Sequence, residues 1–178
     1  MSRWNGLSNM RFAAHHNCVA LDASTDGWEG GTPGIGGYNF IKNDWFKSSV
    51  PAHMQLWPIC DLELLAHIIC VRMWGGEWAG TEIYGLTDSE PCEYFLRHGR
   101  SRIPRRLQMY RHLMALQHRH DFLWVPGPVR SAANVLPDCA SRWRDPERRA
   151  TFWSTCAEMG VVPVERQVLA DHFNIPDL

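Results

Sequence analysis

The spacing of the apolar residues changes near residue 59, and this change restricts the possible folds. Before it, the short runs NCVALDAS, YNFI and DWFKSS alternate in polarity, so residues 17–49 are predicted to form a three-stranded antiparallel meander. After it, the apolar residues of ICDLELLAHIICVRMW recur at helical intervals. The apolar strand TEIYGLT then follows this helix, an order typical of a parallel crossover connection. The chain is therefore predicted to have an α/β fold.

The second half of the chain continues to alternate between helix and strand. Helices are predicted at 89–98 and 104–119, followed by a strand at DFLWVP and a loop that leads into a helix at SAANVLPDCASRW. Asp145 and Pro146 predict the start of another helix, because Asp is a good cap and Pro is favoured at the first helical position. A last short helix is predicted near Pro163. Together these elements predict a mixed five-stranded sheet flanked by helices.

The length of 178 residues predicts one domain. We divide the chain into an N-terminal lead or linker at 1–16, the α/β domain at 17–142 and a helical C-terminal appendage at 143–178. The longest mostly apolar run, LLAHIICV, contains a histidine and is too short to cross a bilayer, so we expect a soluble, intracellular protein. Six cysteines without a CxxC pair argue against a zinc knuckle and predict free thiols.

Arginine is concentrated in one segment of the chain. From Arg97 to His120 there are seven arginines and no acid, so with a total charge of −1 the remainder carries −8. This segment is either a solvated helix surface or a basic face that binds phosphates, for which the planar guanidinium group is well suited. We predict that the segment forms a basic face that binds phosphates. The arginines predicted to contact nucleic acid are Arg97, Arg100, Arg102, Arg105 and Arg106.

Four acidic residues stand where predicted strands end or helices begin. Asp22 ends the first strand and Asp88 the fourth, so the two carboxylates meet at one end of the sheet if these strands are neighbours. Glu63 adjoins the apolar stripe of the first helix, and Asp138 lies at the start of a later helix. Clustered carboxylates repel each other unless a cation neutralises them, and oxygen ligands suit Mg²⁺ or Mn²⁺. Taken alone, Asp88 is better interpreted as a cap of the following helix than as a catalytic residue.

Asp26 and Asp61 are rival candidates, because they lie close to Asp22 and Glu63 in the sequence. Asp61 stands at the start of the first helix and is interpreted as its cap. Asp26 follows the first strand and is interpreted as a turn residue. Neither is placed in the predicted acidic cluster.

Four segments resemble those of a known family in their order along the chain and in their residues. LDAS..GW, LELLA, GLTDSEPCEYFLRHGRSR and WVPGPVRSAANVLPDCASR are similar to the ribonuclease H domain of retroelement reverse transcriptases, especially those of long-terminal-repeat and DIRS-like elements. In that family a Trp-[Ile/Val]-Pro-Gly strand end leads to Asn, then Ala-Asp, then Leu-Ser-Arg. The matching residues here are Trp124, Val125, Pro126, Gly127, Asn134, Asp138, Ser141 and Arg142. Arg130 lies in the loop where many cellular relatives carry a histidine.

The resemblance implies a nuclease that binds two Mg²⁺ ions, for which Mn²⁺ can substitute, and hydrolyses the RNA strand of an RNA/DNA hybrid. The products would carry a 5′-phosphate and a 3′-hydroxyl. The implied catalytic and metal-binding residues are Asp22, Glu63, Asp88 and Asp138. Ser89 and Asn134 are also predicted to contact nucleic acid, and a reverse transcriptase polymerase domain is the expected protein partner. On this basis Asp88 is interpreted as a metal ligand rather than a cap.

Two alternatives stay open at this point. An inactive connection-type domain of the same fold would only hold the duplex, although the presence of all four acids argues against it. An integrase-like nuclease would cut DNA, although its acids are fewer and its late motif does not read Trp-Val-Pro-Gly.

Overall fold

The computed structural model describes residues 17–176, and the predicted N-terminal lead at 1–16 lies outside them. The strands are β1 (Cys18–Trp28), β2 (Thr32–Asn39), β3 (Asp44–Ser49), β4 (Glu82–Thr87), β5 (Leu123–Pro128) and β6 (Val164–Glu165). The helices are α1 (Ile59–Trp74), α2 (Glu90–His98), α3 (Pro104–His120), α4 (Val135–Ser141) and α5 (Pro146–Glu158). The strands form one sheet in the order β5-β4-β1-β2-β3-β6. The predicted α/β fold with a mixed, helix-flanked sheet is confirmed, with β6 as an additional short strand.

The first three strands form the predicted antiparallel meander, and β4 and β5 extend it by parallel pairing. β2 begins earlier than the sequence predicts, because most of the Gly-rich segment is strand rather than turn. Only Gly30 and Gly31, with φ of 67° and 71°, form the left-handed turn. Gly34 and Gly36 lie within β2, where their missing side chains leave one face of the strand bare.

Two apolar layers cover the two faces of the sheet. On one face, Leu21, Ile35 and Phe46 pack against α1, with α2 and α3 behind it. On the other face, Tyr38 and Trp45 pack against α4 and α5. Successive residues of a strand point to opposite faces, so β2 and β3 contribute to both layers. Helix α1 lies between the sheet and α3, which explains why it is apolar nearly all round.

The described part of the tail contributes a helix that packs on the sheet and a strand that extends it. Helix α5 begins as predicted, since the side chain of Asp145 accepts a hydrogen bond from the Glu147 N–H at 2.8 Å. The short helix predicted near Pro163 is wrong. Val164–Glu165 instead pairs in parallel with β3 at the sheet edge. A two-residue strand is too short to show a period in the sequence, and the free edge of β3 decides its conformation.

All six cysteines carry free thiols. Within residues 17–176, no helix combines the length and apolar character needed to span a membrane.

Candidate active site

Asp22 lies inside β1 rather than at its end, because the strand continues to Trp28. The prediction that it terminates the strand is therefore wrong, but the pairing explains its position. Parallel pairing between β1 and β4 stops at Ala20–Leu86, so Asp22 lies just beyond the last paired position. Its side chain is buried, and its Oδ2 accepts a hydrogen bond from the Ser141 hydroxyl of α4.

Asp88 directly follows β4 and therefore lies at the same end of the neighbouring strand. It is half-buried. Helix α2 begins after Ser89, and no side chain at that position caps it. The Ser89 N–H is instead satisfied by the Thr87 hydroxyl at 3.1 Å. The position of Asp88 is set by the end of β4.

Glu63 approaches the same point from helix α1. Its Oε1 accepts a hydrogen bond at 3.2 Å from the Ala23 N–H of β1, beyond the end of the pairing with β4. Its Oε2 is buried and has no hydrogen-bond partner among the described residues. A buried carboxylate oxygen without a partner is costly, unless a cation occupies the space beside it.

The three carboxylates converge on one point. One oxygen each of Asp22, Glu63 and Asp88 lies within 4.8 Å of the others. Burial, with smaller contributions from Asp88 and Asp138, raises the pKa of Asp22 to about 7 although Ser141 opposes the shift. Burial, followed by the charges of Asp22 and Asp88, raises the pKa of Glu63 well above its usual range. Ionisation of all three carboxylates is therefore unfavourable unless a positive charge lies beside them.

The donor set of this cluster fits a hard divalent cation. It consists only of carboxylate oxygens, which is the ligand type that Mg²⁺ and Mn²⁺ prefer. The unpartnered Oε2 of Glu63 is a ready ligand atom. Repulsion between the carboxylates contributes to both raised pKa values after burial, and a bound cation would relieve that contribution.

Asp138 lies in α4 and stands apart from this group. Its Oδ1 accepts a hydrogen bond from Arg142 Nε at 3.0 Å, and its Oδ2 accepts one from Arg148 Nη1 at 2.5 Å. Both oxygens are thus engaged by arginines. The charge of Asp138 nevertheless contributes to the raised pKa of Asp22, so the two carboxylates influence each other. Its role as a fourth ligand stays a prediction.

Glycines in the meander bring α4 close enough to complete the site. A Cβ atom on Gly36 would lie 2.5 Å from the Ser141 backbone nitrogen, and one on Gly27 would lie 2.1 Å from the Ser141 carbonyl oxygen. The side chain of Asn134 fixes the start of the helix, because its Nδ2 donates to the Leu21 carbonyl at 3.0 Å. The contact of Ser141 with Asp22 is absent from the sequence predictions. Glycines two residues apart in a strand are the signal that could have indicated this close approach.

Asp61 is not a helix cap, so that interpretation is wrong. Helix α1 begins after Pro58 without a side-chain cap, and Asp61 is fully buried. Its carboxylate binds both Arg105 and Arg106 of α3. Asp26 likewise does not lie in a turn, since it is an exposed residue of β1.

Of the five arginines predicted to contact nucleic acid, three form ion pairs within the protein and two form none among the described residues. Arg105 and Arg106 are held by Asp61, and Arg105 also stacks over the ring of Trp57 at 4.6 Å. Arg97 forms an ion pair with Glu93 one turn earlier in α2. The remaining two, Arg100 and Arg102, are exposed in the connection between α2 and α3. Nucleic-acid contacts by these arginines, by Ser89 and by Asn134 stay predictions.

An open cleft of about 580 Å³ lies beside Asp88. It separates the start of α2 from the loop that follows β5. Its lining residues are Thr87, Asp88, Glu90, Glu93, Pro128, Val129, Arg130 and Ser131. Of the three clustered carboxylates, Asp88 lines this cleft.

The comparisons with known proteins find similarity at the level of structure only. No family model and no curated protein matches the sequence. Among solved structures, ribonuclease H1 from the halophilic archaeon Halobacterium salinarum NRC-1 superposes with a TM-score of 0.56 and 16% identity, over 70% of this chain and 92% of that chain. The N-terminal ribonuclease H domain of Rv2228c from Mycobacterium tuberculosis gives a TM-score of 0.47 and 17% identity, over 81% of this chain and 99% of that chain.

The similarity to the archaeal structure defines the fold class. The sheet and its flanking helices form a ribonuclease H-like fold. Within this fold, the chain brings Asp22, Glu63 and Asp88 together at adjacent strands β1 and β4.

Proposed function

We propose that this chain is a divalent-cation-dependent endonuclease that hydrolyses the RNA strand of RNA/DNA hybrids. The observation that carries the proposal is the convergence of Asp22, Glu63 and Asp88 within 4.8 Å, with one buried oxygen of Glu63 left without a partner. Such a cluster is unfavourable by itself and becomes favourable when it binds a cation. The ribonuclease H-like fold supports the same class of reaction.

The chain's own residues prepare the ligand atoms. Ser141 fixes the rotamer of Asp22, and the Ala23 N–H holds one oxygen of Glu63 so that the other is available. Bound Mg²⁺ or Mn²⁺ would lower the pKa of the attacking water and stabilise the charge that develops on the phosphate during an in-line displacement. In this proposal the scissile strand enters through the cleft that Asp88 lines. The proposed products carry a 5′-phosphate and a 3′-hydroxyl.

Recognition of the hybrid is proposed to depend on shape and on the 2′-hydroxyl of the cut strand rather than on base sequence. Arg100 and Arg102 are exposed at the surface and are suited to contact phosphates. The sequence resemblance supports a role beside a reverse transcriptase polymerase domain of a retroelement. In that setting the polymerase domain would share the duplex with this chain.

A cleavage assay with three duplexes tests the proposal. The purified chain is incubated with RNA/DNA hybrid, double-stranded RNA and double-stranded DNA, each with Mg²⁺ and with a chelator. We expect cleavage only of the RNA strand of the hybrid and only with the metal, and no cleavage by the Asp88→Asn variant. Equal cutting of hybrid and double-stranded DNA would support the integrase-like alternative. Tight hybrid binding without cleavage would support the inactive binding module.

A further inference from the structure

The pairing of Asp138 distinguishes it from the other three predicted ligands. Asp22, Glu63 and Asp88 have no arginine or lysine as an ion-pair partner among the described residues, whereas Asp138 has two. Arg142 directly follows the end of α4, four residues after Asp138, and Arg148 comes from the separate helix α5. Arg148 also lies beyond residue 142, where the sequence resemblance ends. The second arginine is therefore contributed by the tail.

The docking of α5 does not depend on the ion pair between Arg148 and Asp138. Phe152 and Cys156 of α5 are buried against the sheet, and the side chain of Asp145 caps its start. The ion pair is also partly exposed, with 42% of the Arg148 side chain and 23% of the Asp138 side chain accessible. Exposed ion pairs contribute little to stability. The contribution of this ion pair to the docking of α5 is therefore expected to be small.

The Oδ2 atom of Asp138 accepts a hydrogen bond from Arg148, so the lone pair used in this bond is not available to a cation. We infer that Arg148 competes with a second divalent cation for Asp138 and so controls when this carboxylate is free to bind. The first cation then binds Asp22, Glu63 and Asp88, and the second binds only when Asp138 releases Arg148. This inference rests on the proposed function, since it deepens the description of the same metal site.

Binding of Mn²⁺ to the full chain, without nucleic acid, tests the inference. The two dissociation constants are measured by calorimetry and by the electron paramagnetic resonance signal of free Mn²⁺. Arg148→Gln is expected to tighten the second site by about two- to fivefold and to leave the first unchanged, because a partly exposed ion pair is removed. Arg149→Gln is the matched control, since it removes the same charge from the adjacent, exposed position of α5.

A charge-retaining variant and a double variant test the pairing with Asp138. Arg148→Lys retains the charge and is expected to keep the second constant close to that of the wild type. In an Asp138→Asn background, Arg148→Gln is expected to have no effect on either constant. Circular dichroism of each variant verifies that the fold is retained.

The outcomes separate this inference from the proposed function. Equal changes in Arg148→Gln and Arg149→Gln, or no change in either, would overturn the inference while leaving the first cation site intact. If the wild type binds no Mn²⁺, or if Asp88→Asn does not weaken the first site, then the proposed metal centre is wrong and the inference fails with it.

Discussion

Burial of the Asp22 carboxylate is expected to lower the stability of the metal-free protein. Its raised pKa means that the ionised form is poorly solvated and close to Asp88 and Asp138. Asn is nearly isosteric, accepts the same hydrogen bond from Ser141 and carries no charge. In the absence of divalent cations at pH 8, Asp22→Asn is therefore expected to increase the free energy of unfolding by about 1–3 kcal/mol.

Urea unfolding with a chelator and with Mg²⁺ measures this effect. The variant is expected to lose the stabilisation that Mg²⁺ gives the wild type. Asp26→Asn, an exposed change in the same strand, should alter the free energy of unfolding by less than about 0.5 kcal/mol. A metal-free Asp22→Asn protein less stable than the wild type would contradict the account of the site.

His67 is a second residue whose ionisation is suppressed by burial. It is completely buried, and neither ring nitrogen has a hydrogen-bond partner among the described residues. Burial lowers the pKa of His67 to about 3. Between the unfolded pKa of about 6.5 and pH 3, the unfolded chain takes up a proton that the folded chain does not, so stability falls as the pH falls.

Replacing this histidine should flatten the acid side of the stability profile. His67→Leu removes the group, so the free energy of unfolding should decrease less from pH 6.5 to pH 4.5 than it does for the wild type, by about 2 kcal/mol. At pH 7.5 the variant should be at least as stable, because an unpartnered polar ring is replaced by an apolar side chain. Chemical denaturation across this pH range tests both expectations. An exposed replacement, His118→Gln, should leave the slope unchanged.

At the scale of elements, the site depends on the close contact between α4 and the meander. Gly36 faces backbone atoms of the helix, and a Cβ there would lie 2.5 Å from the Ser141 nitrogen and 2.7 Å from the Pro137 carbonyl oxygen. Backbone cannot move aside as a flexible side chain can. Gly36→Ala should therefore displace α4, destabilise the protein by about 1–3 kcal/mol and weaken Mn²⁺ binding because Ser141 no longer reaches Asp22.

Unfolding and Mn²⁺ titrations of this variant are compared with Gly76→Ala. The nearest atom to a Cβ on Gly76 would be 3.8 Å away, which is an ordinary contact. Normal Mn²⁺ affinity in a folded Gly36→Ala protein would show that the position of α4 does not control the cluster.

At the scale of the whole molecule, charge is divided between an acidic site and a basic segment. Two of the five arginines predicted to bind nucleic acid are occupied by the buried Asp61, so phosphate contacts are expected mainly from Arg100 and Arg102. Each lost phosphate contact reduces the slope of log affinity against log salt concentration by about 0.9. Arg100→Ala with Arg102→Ala should therefore lower the slope for hybrid binding by about two.

Fluorescence anisotropy of labelled hybrid at several salt concentrations gives this slope. Arg166→Gln is the control, because Arg166 pairs with Asp44 and Glu77 at the β6 edge of the sheet. A slope that is the same in the double variant and the wild type would place the duplex on another surface.

Local residue patterns are sufficient to predict the alternation of helices and strands, the meander and the start of α5. These features depend on residues that are close together in the chain, since a period or a cap is complete within one or two turns. The sequence also identified Asp22, Glu63 and Asp88, because each stands near the end of a predicted element. The resemblance of short motifs supplied the expected ribonuclease H-like fold.

Several contacts between residues that are distant in the chain follow from tertiary packing and were not predicted. Asp61 pairs with Arg105 across 44 residues, and Ser141 reaches Asp22 across 119, so both contacts depend on how helices pack rather than on local pattern. The two-residue strand β6 forms because β3 offers a free edge. Asp138 is bound by Arg148 because α5 folds back beside α4. The proximity of these two helices cannot be read from a local sequence pattern. Periodicity depends on neighbours in the chain, whereas ion pairs depend on neighbours in space.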